Sequence, residues 1–342
     1  MKRIRAIVYG VGRLGMLATR LMVEKDVEIV GAINRAGPKV GRDLGELAGL
    51  GRPLGVTVSD DAAAVLAETD ADIAFVSVFD DMARMYPIYA ACLEAGLNVV
   101  SVGAHASYPW RIEPEPTAAL DRIAKENGVT ITGSANQDFF MVNVGSLASG
   151  VCHRIDSITH RSVSDANNFG AEVARVVHVG ETLAEYHEGV AAAGSEDMSL
   201  YTTFWDNLAA DLGLTVTGAR QSSEPVTSER DYHCKSLDLT VEAGRIIGMT
   251  ERLEFDTAEG IPFLGENQLK LCAEGEREFK SWHFRGEPDL DVELGRLDVS
   301  LTTVSQPVNR IPDVIDAEPG YVTIEKLPKL KYRHLPLGSY LR

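Results

Sequence analysis

Cysteine is scarce in this chain and is never paired in sequence. The four present, Cys92, Cys152, Cys234 and Cys272, form no CxxC motif, and no histidine stands at metal-ligand spacing from them. This argues against structural zinc, and a disulfide framework would be out of place in a chain this large. The thiols read as small hydrophobes in a reducing compartment. Positive charge is also in deficit: 33 Lys and Arg stand against 50 Asp and Glu, a formal net charge of -17. Such a surface repels phosphate backbones and anionic lipid, so neither nucleic acid nor a membrane is expected as a partner. No apolar run approaches the ~20 residues of a membrane span. The opening MKRIRAIVYG is basic and then apolar, but the apolar part is too short for a signal peptide and ends in glycine. The expectation is a cytoplasmic protein, without internal repeats or low-complexity segments.

What is present is enough for two ordinary globular domains: 342 residues, 45% of them hydrophobic. Over residues 1–140, the runs IRAIVYG, VEIVGAIN, DIAFVSV, LNVVSV and VTITG read as strands. Between them RLGMLATRLMVEK, MARMYPIYAACLEAG and TAALDRIAKENG read as helices. Strand and helix in alternation make a doubly wound parallel sheet, and continuously apolar strands fit a sheet covered on both faces. Over residues 141–302 the texture changes. GAEVARVVHVG and SLYTTFWDNLAADLG read as helical, and KSLDLTVEAG, RIIGMTERLEF, NQLKLCAEGE and FKSWHFRG alternate with period two. That predicts a second, α+β domain with an antiparallel or mixed sheet. The Pro-punctuated tail, residues 303–342, carries one helical patch and is expected to pack back on the first domain.

Directly after the first predicted strand comes Gly10-Val11-Gly12-Arg13-Leu14-Gly15, a GxGxxG motif that also opens a helix. In that context the motif reads as a dinucleotide site on a Rossmann-type sheet. Gly10 permits the tight turn, Gly12 the approach of backbone to a pyrophosphate, and Gly15 close helix–strand packing. The second strand ends in Asn34-Arg35-Ala36 where an NAD site would carry an acidic residue. Asn34 has no charge to repel a 2′-phosphate and Arg35 can pair with one, so NADP is the preferred cofactor, with NAD also possible. Ser77 near the end of DIAFVSV and Phe79 just beyond it, Ser101 near the end of LNVVSV, and Asn136 after VTITG complete the candidate cofactor contacts.

The stretch KVGRDLGELAGLG at 39–51, together with the glycine loop, resembles 2,4-diaminopentanoate dehydrogenases and the related native amine dehydrogenases. Further matches are SYPW at 107–110, HVGETLAEY at 178–186, DLGL at 211–214, and PVNRIP with AEPGYVT at 307–323. The resemblance implies a dihydrodipicolinate-reductase-like first domain, a homodimer, and NAD(P)-dependent interconversion of an amine and a ketone through an imine. It also implies a carboxylate just before SYPW as the central acid/base group. Here that stretch reads Gly103-Ala104-His105, and neither Gly103 nor Ala104 can move a proton.

Three residues are candidate replacements. His105 has the right intrinsic range for acid/base work near neutrality. Asp138, in a loop where the family usually has Pro-Gly, reads either as that base or as an N-cap of the following helix. Tyr108 could donate a proton, or pack beside Trp110. In the second domain His160, Arg161, Asn168, Phe169 and His283 are weaker candidates, while His178, Tyr186 and His187 read as packing or surface residues. Three readings stay open: a carbonyl or imine reductase, an amine dehydrogenase using Asp138, and a non-catalytic NADP(H)-binding protein. The expected ligand is a small amine, ketone or imine, with no metal.

Overall fold

The computed structural model describes residues 2–193 and 201–342. Two compact units are present: residues 1–143, 203–211 and 300–342 form one, and residues 144–202 and 212–299 the other. Residues 199 and 200 of the predicted helical stretch SLYTTFWDNLAADLG lie outside the described residues. Its helix runs Thr202–Asp211, and from Thr203 onward it belongs to the first unit.

The first unit begins with β1 (Arg5–Tyr9), β2 (Glu28–Ile33), β3 (Val58–Ser59), β4 (Ile73–Val76), β5 (Asn98–Ser101) and β6 (Thr130–Gly133). The second carries β7 (Arg154–Asp165), β8 (Val216–Thr227), β9 (Tyr232–Cys234), β10 (Leu239–Val241), β11 (Ile246–Thr257), β12 (Phe263–Lys270), β13 (Phe279–Glu287) and β14 (Leu290–Leu294). The chain then returns to the first unit for β15 (Gly320–Tyr321).

In the first sheet the order is β15-β6-β5-β4-β1-β2-β3, and every pairing is parallel. Without β15 this is the doubly wound dinucleotide-binding order, whose direction reverses between β1 and β4. The sequence explains the layering. All four residues of β4 and all four of β6 are buried, as a two-sided parallel sheet demands. Helices Met82–Glu94 and Pro114–Glu126 cover one face through Tyr89, Leu93, Leu120 and Ile123. Helices Arg13–Glu24 and Val299–Ile315 cover the other through Ala18, Met22, Val304, Val308 and Ile311. Because every strand is parallel, all the carboxyl ends lie along one edge, where ligands bind in such sheets.

The second unit's large sheet has the order β14-β13-β7-β12-β11-β8, antiparallel except for β7 with β12. Sequence reading missed β8, VTGARQSSEPVT, which is polar and contains a proline. It survives as a strand because it lies at the sheet's edge, where the Pro225 nitrogen removes no ladder hydrogen bond from two sides at once. Helix Val299–Ile315 was legible only as a patch, because Pro307 and Pro312 interrupt it. Its apolar spacing at Val304, Val308, Ile311 and Val314 holds it to the sheet despite both prolines.

One polar contact pins that helix. Arg310 and Asp138 are both fully buried, and Arg310 donates from Nε and Nη2 to Oδ2 and Oδ1 of Asp138, each at 2.8 Å. The Ser134 hydroxyl, at 2.8 Å, and the Asn143 amide, at 2.6 Å, supply the carboxylate's remaining donors. Arg310 also donates from Nη1 to the Pro328 carbonyl. Removing one partner of such a pair strands the other charge away from water. Arg310→Ala is therefore expected to cost about 3–5 kcal/mol in urea-unfolding free energy, with Asp138→Leu plus Arg310→Met recovering much of the loss.

Candidate active site

The glycine loop follows β1 and is shaped by close contacts. Gly10 has φ +101°, and a Cβ there would lie 2.3 Å from the Ser77 carbonyl oxygen. A Cβ on Gly15 would lie 1.9 Å from the Gly10 carbonyl oxygen, so helix and strand meet only through glycine. Gly12 is different in kind. Its backbone is extended at φ -85°, and a Cβ there would meet nothing within 4 Å. No internal packing requires glycine at that position, whereas an approaching pyrophosphate would. Gly12 also caps helix Arg13–Glu24 without any side-chain acceptor for the first amides. The amides of Arg13, Leu14 and Gly15 and the positive end of the helix dipole are thus available to a phosphate. These residues fit a dinucleotide.

Around the loop, the sequence candidates take distinct places. Ser77 donates from Oγ to the Gly10 carbonyl at 3.0 Å and braces the turn. Asn34 does not present its amide oxygen to a ribose: that oxygen accepts from the Val11 amide at 3.1 Å, and its NH2 group donates to the Arg35 carbonyl. Arg35 is exposed, at the end of β2. Sequence reading missed Lys39, whose Nζ donates to the Val11 carbonyl at 2.5 Å and brings a second cation to this end of the loop. Its signal was the family-like KVGRDLG stretch itself. Arg13 donates to the Ser300 hydroxyl. Phe79 lies under the Arg84 guanidinium, 3.4 Å from the ring centre. Ser101 is corrected from cofactor contact to support. It is fully buried, its hydroxyl bonded to Tyr89 at 2.6 Å and to the Gly103 amide at 3.1 Å. Asn136 is half-buried, bonded to Thr302 and Gln306 of the last long helix.

The stretch after β5 folds as a short turn, Ala104–Ser107. His105 is half-buried, and its Nδ1 accepts from the Met82 amide at 3.3 Å. A backbone N–H only donates, so Nδ1 carries the lone pair and the neutral ring keeps its proton on Nε2. Tyr108 is pushed upward by burial and then by the charges of Glu325 and Asp206. The direction opposes any role as a base and leaves the phenol a donor. Asp138 is neither base nor helix cap. Its carboxylate is occupied by Arg310, Ser134 and Asn143 and accepts from no backbone amide of the π-helical turn Asp138–Asn143.

Three carbonyls of this turn are held from elsewhere in the first unit. Thr203 Oγ1 donates to Ala104 at 3.1 Å, Asn207 Nδ2 to Ser107 at 3.1 Å, and the Tyr321 hydroxyl to Ala106 at 2.9 Å. Beside them Arg111 Nε donates to Asp206 Oδ1 at 2.8 Å, and the Thr323 hydroxyl donates to Glu325 Oε1 at 2.6 Å. Burial pushes the carboxyls of Asp206 and Glu325 upward. Sequence reading missed both, since nothing local marks either as different from the other acidic residues.

In the second unit His160 is fully buried against Trp282, ring centres 4.9 Å apart, and burial holds it well below the usual imidazole range. His283 bonds instead to Ser281 and Asp291. Among the described residues no group of three or more His, Cys, Asp or Glu could hold a metal, and no helix is long and apolar enough to cross a membrane.

Comparison with known proteins is consistent along the whole chain. The sequence profile of the 2,4-diaminopentanoate dehydrogenase C-terminal domain matches residues 139–332, and that of the dihydrodipicolinate reductase N-terminus matches residues 4–107. The chain is 26% identical over 341 residues to 2,4-diaminopentanoate dehydrogenase of Acetoanaerobium sticklandii, covering 96% of this chain and 94% of that protein. The structure of an amine dehydrogenase from Mycobacterium smegmatis matches with a TM-score of 0.89 and 39% identity over 98% of both chains. Biliverdin reductase from Synechocystis sp. PCC 6803, solved with biliverdin and NADP+, matches with a TM-score of 0.56 over 94% of this chain and 94% of its own length, at 10% identity. That likeness shows the fold alone.

The open space at Gly12 separates a structural from a functional glycine. Gly12→Ala is expected to leave the melting temperature within about 1 °C while weakening dinucleotide affinity about tenfold or more. Gly15→Ala, by contrast, is expected to lose both, as read by thermal unfolding and cofactor titration.

Proposed function

The chain belongs to the 2,4-diaminopentanoate dehydrogenase family and is an NAD(P)-dependent oxidoreductase of the amine dehydrogenase type; we propose that it works with NADP(H) on the C=N or C=O carbon of a small amine, imine or ketone. When bound, the cofactor supplies or accepts the hydride. The protein's own residues do the rest. Amides at the start of helix Arg13–Glu24 hold the pyrophosphate, and Gly12 leaves it room. Arg35 and Lys39 take the adenosine 2′-phosphate, since the end of β2 offers two cations and no carboxylate.

His105 is the proton donor of this reading. The Met82 amide fixes its tautomer, so Nε2–H is the group it can offer to the oxygen or nitrogen of the substrate during hydride delivery. That single hydrogen bond is the observation that carries the assignment. Ser107 and Tyr108 belong to the same turn, which its three carbonyl contacts hold in place. The family resemblance adds a homodimer to this reading, and the composition a cytoplasmic location.

Cofactor choice and proton donation separate experimentally. Arg35→Ala with Lys39→Ala is expected to weaken NADPH binding about 10- to 100-fold, the scale of lost charge-assisted hydrogen bonds, with NADH affinity little changed. His105→Ala is expected to lower kcat by about 10²–10⁴ with cofactor affinity intact. Titrating both cofactors, and following NADPH oxidation with mixed ketones with and without ammonium, reads both effects. Equal losses for NADH and NADPH would overturn the 2′-phosphate assignment.

A further inference from the structure

One carboxylate of the first unit gathers more backbone donors than a helix cap needs. Asp43 is half-buried at the start of the short helix Leu44–Leu47. Its Oδ1 accepts from the amides of Gly45 at 2.7 Å, Glu46 at 3.2 Å and Leu54 at 3.0 Å. Its Oδ2 accepts from Gly55 at 2.8 Å and Val56 at 3.1 Å. The first two bonds are an ordinary cap. The other three tie the far end of the loop, eleven to thirteen residues on, to the same side chain. Burial, the largest single influence, pushes the carboxyl up, yet the amides of Leu54, Glu46, Gly45 and Gly55 together hold it below the usual carboxylate range.

The closed loop positions the chain on either side of it. Just beyond Val56, Val58 donates its amide to the Arg42 carbonyl at 2.9 Å, and its own carbonyl accepts from the Gly41 amide at 2.8 Å. Strand β3 is therefore gripped by β2 on one side and by residues 41–43 on the other. Those residues end the turn that carries Lys39, whose carbonyl accepts from the Arg42 amide at 3.2 Å. From there Lys39 Nζ reaches the Val11 carbonyl, while Asn34 Oδ1 accepts from the Val11 amide. Both backbone groups of Val11, between Gly10 and Gly12, are thus held from this edge of the sheet. A surface loop with exposed backbone opens locally at little cost unless such contacts close it.

We propose that Asp43 is the positioning residue of the adenosine end: by closing residues 43–56 it sets β3, and through residues 41 and 42 it sets where the Lys39 ammonium stands. This deepens the NADP(H) reading above and rests on it. In this role Asp43 acts through Lys39 and not by contact with the cofactor. Five amide donors meet its charge, which reduces its repulsion of a phosphate at the same end of the sheet.

Asp43→Asn separates the cap from the closure. Asparagine caps a helix as well as aspartate does and keeps an oxygen for Gly45 and Glu46. Its NH2 group then faces the Gly55 and Val56 amides, donor against donor. Dissociation constants for NADPH and NADH are measured by titration of the full-length chain, for wild type, Asp43→Asn, Lys39→Ala and the double variant. Asp43→Asn is expected to weaken NADPH binding about tenfold, with NADH changed by less than about threefold. In the Lys39→Ala background the same substitution should change NADPH affinity by less than about twofold, because both act through one ammonium. Asp43→Ser also caps the helix and places no NH2 group against the amides; it should give the same pattern, and it replaces Asp43→Asn if that variant does not fold. Equal losses for NADPH and NADH, or the same loss of NADPH with and without Lys39, would overturn the positioning role. If Lys39→Ala shifts the NADPH to NADH ratio and the Asp43 variants do not, the positioning role alone fails. If Lys39→Ala leaves the ratio unchanged, the 2′-phosphate reading fails at Lys39 and takes this role with it.

Discussion

The buried pair between Asp138 and Arg310 is the contact on which the rest of the first unit depends. It joins the turn after β6 to the long helix that follows the second unit, across 172 residues of sequence. A bidentate pair with every remaining lone pair satisfied is stable in the interior only as a whole. Holding it fixes where the helix ends, and the chain beyond then runs as β15 alongside β6. A carboxylate that looks from sequence like a substitute base is thus consumed in placing the tail. The tail in turn carries Glu325 to the carboxyl edge of the sheet.

That edge gathers the chemistry by topology alone. Parallel strands end together, so the turns after β1, β2, β4, β5, β6 and β15 are neighbours although they lie hundreds of residues apart. The turn after β1 is built for a phosphate by what it omits: side chains at Gly10 and Gly15, which would strike backbone, and at Gly12, which would strike nothing but a ligand. The turn after β5 contributes a histidine with a fixed tautomer but no carboxylate. Helix Thr202–Asp211 and the tail are the elements that hold that turn's carbonyls.

Much of this was legible before any coordinates. The doubly wound sheet, the glycine loop, the change of texture near residue 140 and the family likeness all follow from short-range patterns. Strand β8 was not legible, because an edge strand tolerates polar residues and a proline that a central strand would reject. The helix through Pro307 and Pro312 was only partly so, because its apolar face outweighs two breaks in its own ladder.

By itself the sequence determined the local rules: which runs alternate or bury, where glycine is needed, and which end of β2 lacks an acid. Those rules act over a few residues, through backbone sterics and hydrophobic period, and can be read in one dimension. Only the tertiary structure decided how the acidic side chains divide their roles, with Asp138 locked to Arg310, Asp206 to Arg111, and Glu325 left with an unpartnered oxygen. A carboxylate's role is set by burial and by the charge beside it. Both come from residues far away in sequence, so no reading of the neighbouring letters could assign it.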